Sequence, residues 1–130
     1  MLVDSTLLMD FHKGDPKATR IVQGSTGQDL YTTEISIFET ATGIYRMTHN
    51  PSRALTLTNI MLKNLHILEL DRTSTLKAAE LRADLLNKGK PIQPTDCLIA
   101  GIALAHGINQ IVTRNKTDFE RIPGLSVLAY

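Results

Sequence analysis

The sequence predicts an α/β domain whose mostly parallel sheet is covered by helices on both faces. Three observations carry this. Short strand-like segments recur along the chain, at "MLV", "DLYTT", "HILEL", "QIVT" and "LSVLA". Longer segments with apolar residues at helical spacing lie between them. Those segments open on cap residues or prolines, and several close on glycine, so strand and helix alternate. Strands this short and apolar suit a sheet buried on both faces.

Each element follows from its residues. Met1 to Val3 reads as a buried strand, and a helical turn or two with Leu7, Leu8 and Phe11 follows. "GDPKATRIV" starts a helix with Asp15 as N-cap and Pro16 at the first helical position, ending near Gly24 before a "GSTG" loop. After "DLYTT", the segment "ISIFETATGIYRM" spaces Ile35, Phe38, Ala41 and Tyr45 as one helical face. Phe38 reads there as an anchor, with Glu39 pointing away, and Gly43 lowers the bulk one turn on. Asn50 and Pro51 open the next helix, and "HILEL" is the third strand. Thr73 or Ser74 then caps a helix that carries Leu76, Ala79, Leu81, Leu85 and Leu86 and stops near Gly89. Thr95 caps the helix in "PIQPTDCLIAGIALAHG", which Gly107 ends. Its Ala100, Gly101, Ala103 and Ala105 let it lie close to the sheet. "QIVT", a short helix with a Thr117–Glu120 capping box, and "LSVLA" complete the pattern.

Composition narrows the class. The 130 residues suit one domain over residues 1–130, with 42% apolar and 21% charged residues. No apolar run approaches membrane-span length. Asp4 and Asp10 interrupt the first apolar residues and no basic segment precedes them, so no secretory leader is expected. The lone Cys97 excludes an internal disulfide, is expected to pack as a small apolar residue, and fits a cytoplasmic location. A net charge of +1 gives no general attraction to nucleic acid or membrane. Any nucleic-acid contact is then local, or uses bound metal.

Four acids stand at strand-to-helix transitions or in first helical turns: Asp4, Glu39, Asp96 and Asp118. Taken singly, Asp4 reads as a helix cap, Asp96 and Asp118 as acids favoured by the helix dipole, and Glu39 as a solvated side chain. Taken together, they gather at the carboxyl edge of a parallel sheet, where sites lie. Carboxylates crowded there repel unless a hard cation such as Mg²⁺ or Mn²⁺ is bound. Thr6 and Thr113 supply hydroxyls to orient a carboxylate or a metal-bound water.

The segments "LVDSTLLMDF", "TTEISIFETATG", "IQPTDCLIAGIALAHG" and "IVTRNKTDFERIPGLSVL" carry a family resemblance across nearly the whole chain. The chain resembles PIN domains, particularly toxin ribonucleases of the VapC type. The resemblance implies a three-layer α/β/α domain with a five-stranded parallel sheet. It implies an endoribonuclease dependent on Mg²⁺ or Mn²⁺, with one or two ions, that hydrolyses RNA phosphodiesters. It also implies homodimers and a small cognate antitoxin that reaches the active-site groove. Asp4 matches the first acid of the family, Glu39 the second, Asp96 the third and Asp118 the fourth. Asn115 stands near a position where some members carry an acid, and reads as a secondary polar contact. Glu34 is a rival for Glu39.

Arg46, His49, Arg53, Lys63 and Arg114 are candidate RNA contacts, against the ordinary reading of solvated helix faces. His12, His66 and His106 show no ligand spacing. Three other readings compete: a PIN nuclease of RNA maturation or decay, a non-cleaving RNA- or protein-binding PIN module, and a receiver-like phosphoacceptor. Complete acids argue against the binding module. The receiver reading fails because no lysine follows Asp71 where it would be needed.

Overall fold

A computed structural model of the chain describes residues 1–25 and 27–130, so Thr26 of the expected "GSTG" loop lies outside the described residues. The strands are β1 (Leu2–Val3), β2 (Tyr31–Thr33), β3 (His66–Leu68), β4 (Gln110–Val112) and β5 (Ser126–Leu128). The helices are α1 (Ser5–His12), α2 (Pro16–Gly24), α3 (Glu34–Met47), α4 (Pro51–Leu62), α5 (Arg72–Asn87), α6 (Pro94–Ala105) and α7 (Lys116–Phe119).

The strands form one parallel five-stranded sheet in the order β3-β2-β1-β4-β5. The chain builds outward from β1 to β3, then returns to add β4 on the other side of β1. The order therefore reverses between β1 and β4, where Leu2 pairs with Ile111 and Val3 with Val112. Loops leaving two such strands diverge to opposite sides and open a crevice at the carboxyl edge. Asp4 follows β1 and Thr113 follows β4, so both stand in that crevice.

Alternation along the strands divides the core into two layers. Leu2 and Ile111 join Leu81, Leu85, Ile99 and Phe119 on one face. Val3 and Val112 join Leu7, Leu8, Met61 and Leu62 on the other. Cys97 is buried in the first cluster, where burial pushes its thiol up. No helix among the described residues is long and apolar enough to cross a membrane.

The buried face of α3, and part of that of α5, differs from the one the apolar spacing suggests. In α3 the buried residues are Ser36, Thr40 and Ile44, whereas Phe38 is 63% and Tyr45 62% exposed. The polar residues satisfy themselves locally. Thr33 Oγ1 accepts from the Ser36 amide at 3.0 Å, and the Thr40 hydroxyl donates to the Ser36 carbonyl at 2.8 Å. Buried hydroxyls with such partners carry little desolvation penalty. Gly43 leaves room for the end of the Met9 side chain of α1, 2.5 Å from where a Cβ would stand. Phe38 is thus no anchor. In α5 the buried face is Ser74, Ala78, Leu81 and Leu85, and Leu76 and Leu86 are exposed. Of the small residues of α6, Gly101 serves this helix pair by facing Ala78, while Ala100 and Ala103 belong to the cluster that includes Leu2 and Ile111 of the sheet.

Cap assignments also shift. Asp71 caps α5, not Thr73 or Ser74: its carboxylate accepts from the Ser74 amide at 2.8 Å while Ser74 Oγ accepts from the Asp71 amide at 2.9 Å. This reciprocal box satisfies two free amides of the first turn. The Ser74 amide and hydroxyl hold the Asp71 carboxyl below its ordinary value. Asp71→Ala is expected to lower the melting temperature by roughly 3–5 °C near pH 7. A carboxyl held low contributes stability above its unfolded pKa of 3.8 and loses it as pH falls through the folded value, so the difference should fade toward pH 3. Thermal scans of both proteins at the two pH values measure it. Gln93 and Asn115, not Thr95 or Thr117, precede α6 and α7, and neither makes a side-chain cap bond. Asn50 precedes α4 as expected, also without one.

Candidate active site

Asp4 is the N-cap of α1 and a site carboxylate at once. Its Oδ1 accepts from the Leu7 amide at 3.2 Å, so capping does not pass to Ser5 or Thr6. The side chain is 2% exposed and both oxygens are occupied. The Thr6 hydroxyl donates to Oδ1 at 2.7 Å and the Thr113 hydroxyl to Oδ2 at 2.6 Å. Burial raises its pKa, the hydroxyls and the Leu7 amide oppose the rise, and Glu39 adds to it. The bridge from Thr113 joins the ends of β1 and β4 at the reversal point of the sheet.

Two further acids, Glu39 and Asp96, line the same crevice, and Asp118 stands outside its lining, next to Asn115. Glu39, in the second turn of α3, accepts from the Ser5 hydroxyl at 2.6 Å. Asp96, in the first turn of α6, is 9% exposed. Asp118 lies in α7. The Asn115 amide donates to Asp96 Oδ2 at 3.0 Å and to Asp118 Oδ2 at 3.2 Å, holding the two carboxylates on either side of it. Asp96 is pushed up to about 7, first by burial and then by Glu39, Asp118 and Asp4. Burial is the larger cause, and the neighbouring carboxylates add to it. Among the described residues no lysine or arginine pairs with Asp4, Glu39 or Asp96, while Arg121 approaches Asp118 only at 3.9 Å.

The donor set fits a hard divalent cation, which would relieve this repulsion. The set is open: among the described residues no three His, Cys, Asp or Glu side chains are gathered closely enough to hold an ion alone. Magnesium is commonly held by one or two carboxylates with waters and substrate phosphate completing the shell. A groove of about 330 Å³ gives access, lined by Asp4, Glu39, Asp96 and Asn115 together with Phe38 and Gln93.

The basic candidates are placed elsewhere. Arg46 and Arg53 are exposed and line neither side of the acidic groove. Arg53 borders a separate depression with His12, Asn50 and Leu57. Arg114 borders the groove, but its guanidinium is engaged by Asp10 at 2.7 Å and Asp15 at 3.0 Å and lies 5.2 Å from the Tyr130 ring centre. Its backbone amide donates to Thr6 Oγ1 at 3.2 Å. Glu34 is exposed at the first position of α3. Sequence reasoning missed Ser5 as the partner of Glu39, and missed Gln93, Thr42 and Thr95 as groove residues. No spacing rule pairs residues this far apart; only Ser5 adjoining Asp4 hinted at it.

Comparisons with known proteins agree with this architecture. The tRNA(fMet)-specific endonuclease VapC of Salmonella typhimurium is 36% identical over 77 residues, which are 59% of this chain and 58% of the relative. Ribonuclease VapC2 of Rickettsia felis is 39% identical over 67 residues, or 52% of this chain and 49% of the relative. The chain thus spans about half to three-fifths of the curated relatives it matches. Among solved structures, DNA-bound VapBC of Salmonella typhimurium superposes with a TM-score of 0.86 at 27% identity, covering 98% of this chain and 96% of that one. VapBC2 of Rickettsia felis, bound to a promoter DNA fragment, superposes at 0.89 with 23% identity, covering 99% and 97%, and supports the fold alone. The profile of the PIN domain matches residues 1–125, and the chain belongs to the PIN domain family.

Proposed function

We propose that the protein is a Mg²⁺- or Mn²⁺-dependent endoribonuclease, the toxin of a type II toxin–antitoxin pair. The observation that carries this is the gathering of Asp4, Glu39 and Asp96 along one crevice, with Asp118 joined to Asp96 through Asn115 and Asp96 pushed up to about 7 by burial and its acidic neighbours. The partial likeness to VapC endonucleases and the full-length likeness to a VapBC chain support the choice of RNA as substrate and an antitoxin as partner. Residues 1–130 form one PIN domain in this reading, acting as a homodimer in the cytoplasm, where RNA is at hand.

Asp4 and Asp96 would hold the ion, with Glu39 and Asp118 directly or through water. A divalent ion there supplies charge neutralisation at the scissile phosphate and a water acidic enough to lose a proton near neutral pH. The chain contributes the positioning. Thr6 and Thr113 fix both oxygens of Asp4, Ser5 aims Glu39, and Asn115 spaces Asp96 from Asp118. Carboxylates without ion-pair partners remain free to take a cation.

The test is cleavage of total RNA by the purified protein, mapped by end sequencing, with Mg²⁺ or with EDTA. Specific cuts are expected with Mg²⁺ only, and Asp4→Asn should lower the rate at least about 100-fold with its far-ultraviolet circular dichroism unchanged. Equal cleavage by Asp4→Asn, or cleavage undiminished in EDTA, overturns the assignment. RNA binding without any cleavage would favour a binding module.

A further inference from the structure

We propose that Phe38 is a base-stacking residue of the substrate groove and that RNA crosses the acidic crevice with one unpaired base against its ring. The inference rests on the RNA reading above. Phe38 is 63% exposed, on a helix whose buried face is made by Ser36, Thr40 and Ile44. Its ring is therefore not part of the buried core. It lines the crevice beside Asp4, Glu39 and Asp96, the acids at which cleavage is placed.

The groove has two chemically different arms. On the Phe38 side the lining is Thr42, Gln93, Thr95 and Asn115, neutral donors and acceptors around one aromatic ring. On the far side of Ser5 and Glu39 a second depression of about 370 Å³ holds Lys13 and Arg114. Arg114 is held by Asp10 and Asp15, so Lys13 is the cation of this arm without an ion-pair partner among the described residues. Both depressions share Ser5, Thr6 and Glu39, so they lie side by side, with the hydrogen-bonded Ser5–Glu39 pair common to both.

These features match a single strand rather than a duplex. An unstacked base has a face for the ring and edges for the Gln93 and Thr95 side chains, while a neighbouring phosphate meets Lys13. A phosphate on the Phe38 side would meet no basic group lining it. The net charge of +1 is no obstacle, because stacking supplies affinity that overall charge does not.

The test is equilibrium binding of a short fluorescent single-stranded RNA, measured by anisotropy in an Asp96→Asn background, beside an otherwise identical oligomer with abasic ribose at the central positions. Phe38→Ala should weaken binding of the normal oligomer roughly tenfold and leave the abasic one unchanged, removing the preference for bases. Phe38→Tyr should keep it. Lys13→Ala should lower binding of both oligomers alike and reduce the salt slope by about 0.7. Tyr45→Ala, equally exposed on the same helix but outside the groove, should bind as the parent does. Equal binding by Phe38→Ala and its parent overturns the proposal. So does equal loss in Tyr45→Ala, which points to a protein contact along α3, and so does an absence of RNA binding by the parent. Binding that depends on Phe38 in a protein that never cleaves RNA would overturn the nuclease reading and keep this one.

Discussion

Asp96→Asn should lower metal-dependent RNA cleavage at least about 100-fold and, in EDTA at pH 8, raise the melting temperature by several degrees. The two effects oppose each other if, as proposed, one carboxylate both serves the chemistry and burdens the fold. Asp96 is nearly buried, faces Glu39, Asp118 and Asp4, and titrates near 7 against 3.8 for a free aspartate. A carboxyl raised in this way leaves stability intact below 3.8, removes it as pH rises toward 7, and leaves the full penalty above that. The metal-free protein should therefore lose stability from pH 5 to pH 8. Asparagine keeps the shape and can still accept from Asn115, but it carries no charge, so the decline should flatten. Magnesium should stabilise the parent at pH 8 and the variant much less. Thermal scans at pH 5 and pH 8, with Mg²⁺ and with EDTA, separate these cases. A variant no more stable than its parent in EDTA at pH 8 would show that the acids do not strain the fold.

The order of strands and helices was legible because each element carries a local signal. Leu2–Val3 and Ile111–Val112 are plain apolar runs, and Pro16 and Pro51 each stand at a helix start. The buried face of α3 was not legible. Apolar spacing favoured Phe38 and Tyr45, but Ser36 and Thr40 bond to their own helix and so enter the core without penalty. Caps were misassigned where two residues act on each other, as Asp71 and Ser74 do. At the site, the four acids were nameable from their places at strand ends and from the family pattern. Of their polar partners, Thr6, Thr113 and Asn115 were nameable too, though not which acid each would meet, while Ser5, which meets Glu39 across 34 positions, was not. Such pairings exist only once the sheet order is set. Asp4 shows a further limit, since capping and a place in the groove looked like alternatives and one side chain has both.

Gly101→Ala should destabilise the protein by about 3 kcal/mol, and Gly101→Val should leave little folded protein at 37 °C. Alanine is the better helix former by about 1 kcal/mol, so propensity alone predicts the opposite sign. The contact decides it. A Cβ at Gly101 would lie 2.6 Å from Ala78 Cβ, 2.7 Å from the Ala78 nitrogen and 2.8 Å from its Cα. Backbone atoms cannot swing aside, so α5 and α6 must separate. That separation loosens Leu81, Leu85, Ile99 and Ala103, which belong to one buried cluster. It also moves Asp96, five residues earlier on the same helix, relative to Asn115 and Asp4. Activity should therefore fall even at temperatures where Gly101→Ala is still folded. Adding Ala78→Gly removes the nearest of the three contacts but leaves the two backbone ones, so it should restore stability only in part. Urea unfolding of the parent, the two single variants and the double variant measures this coupling. A Gly101→Ala protein as stable as its parent would show that the helices separate freely and that the glycine is not what sets their distance.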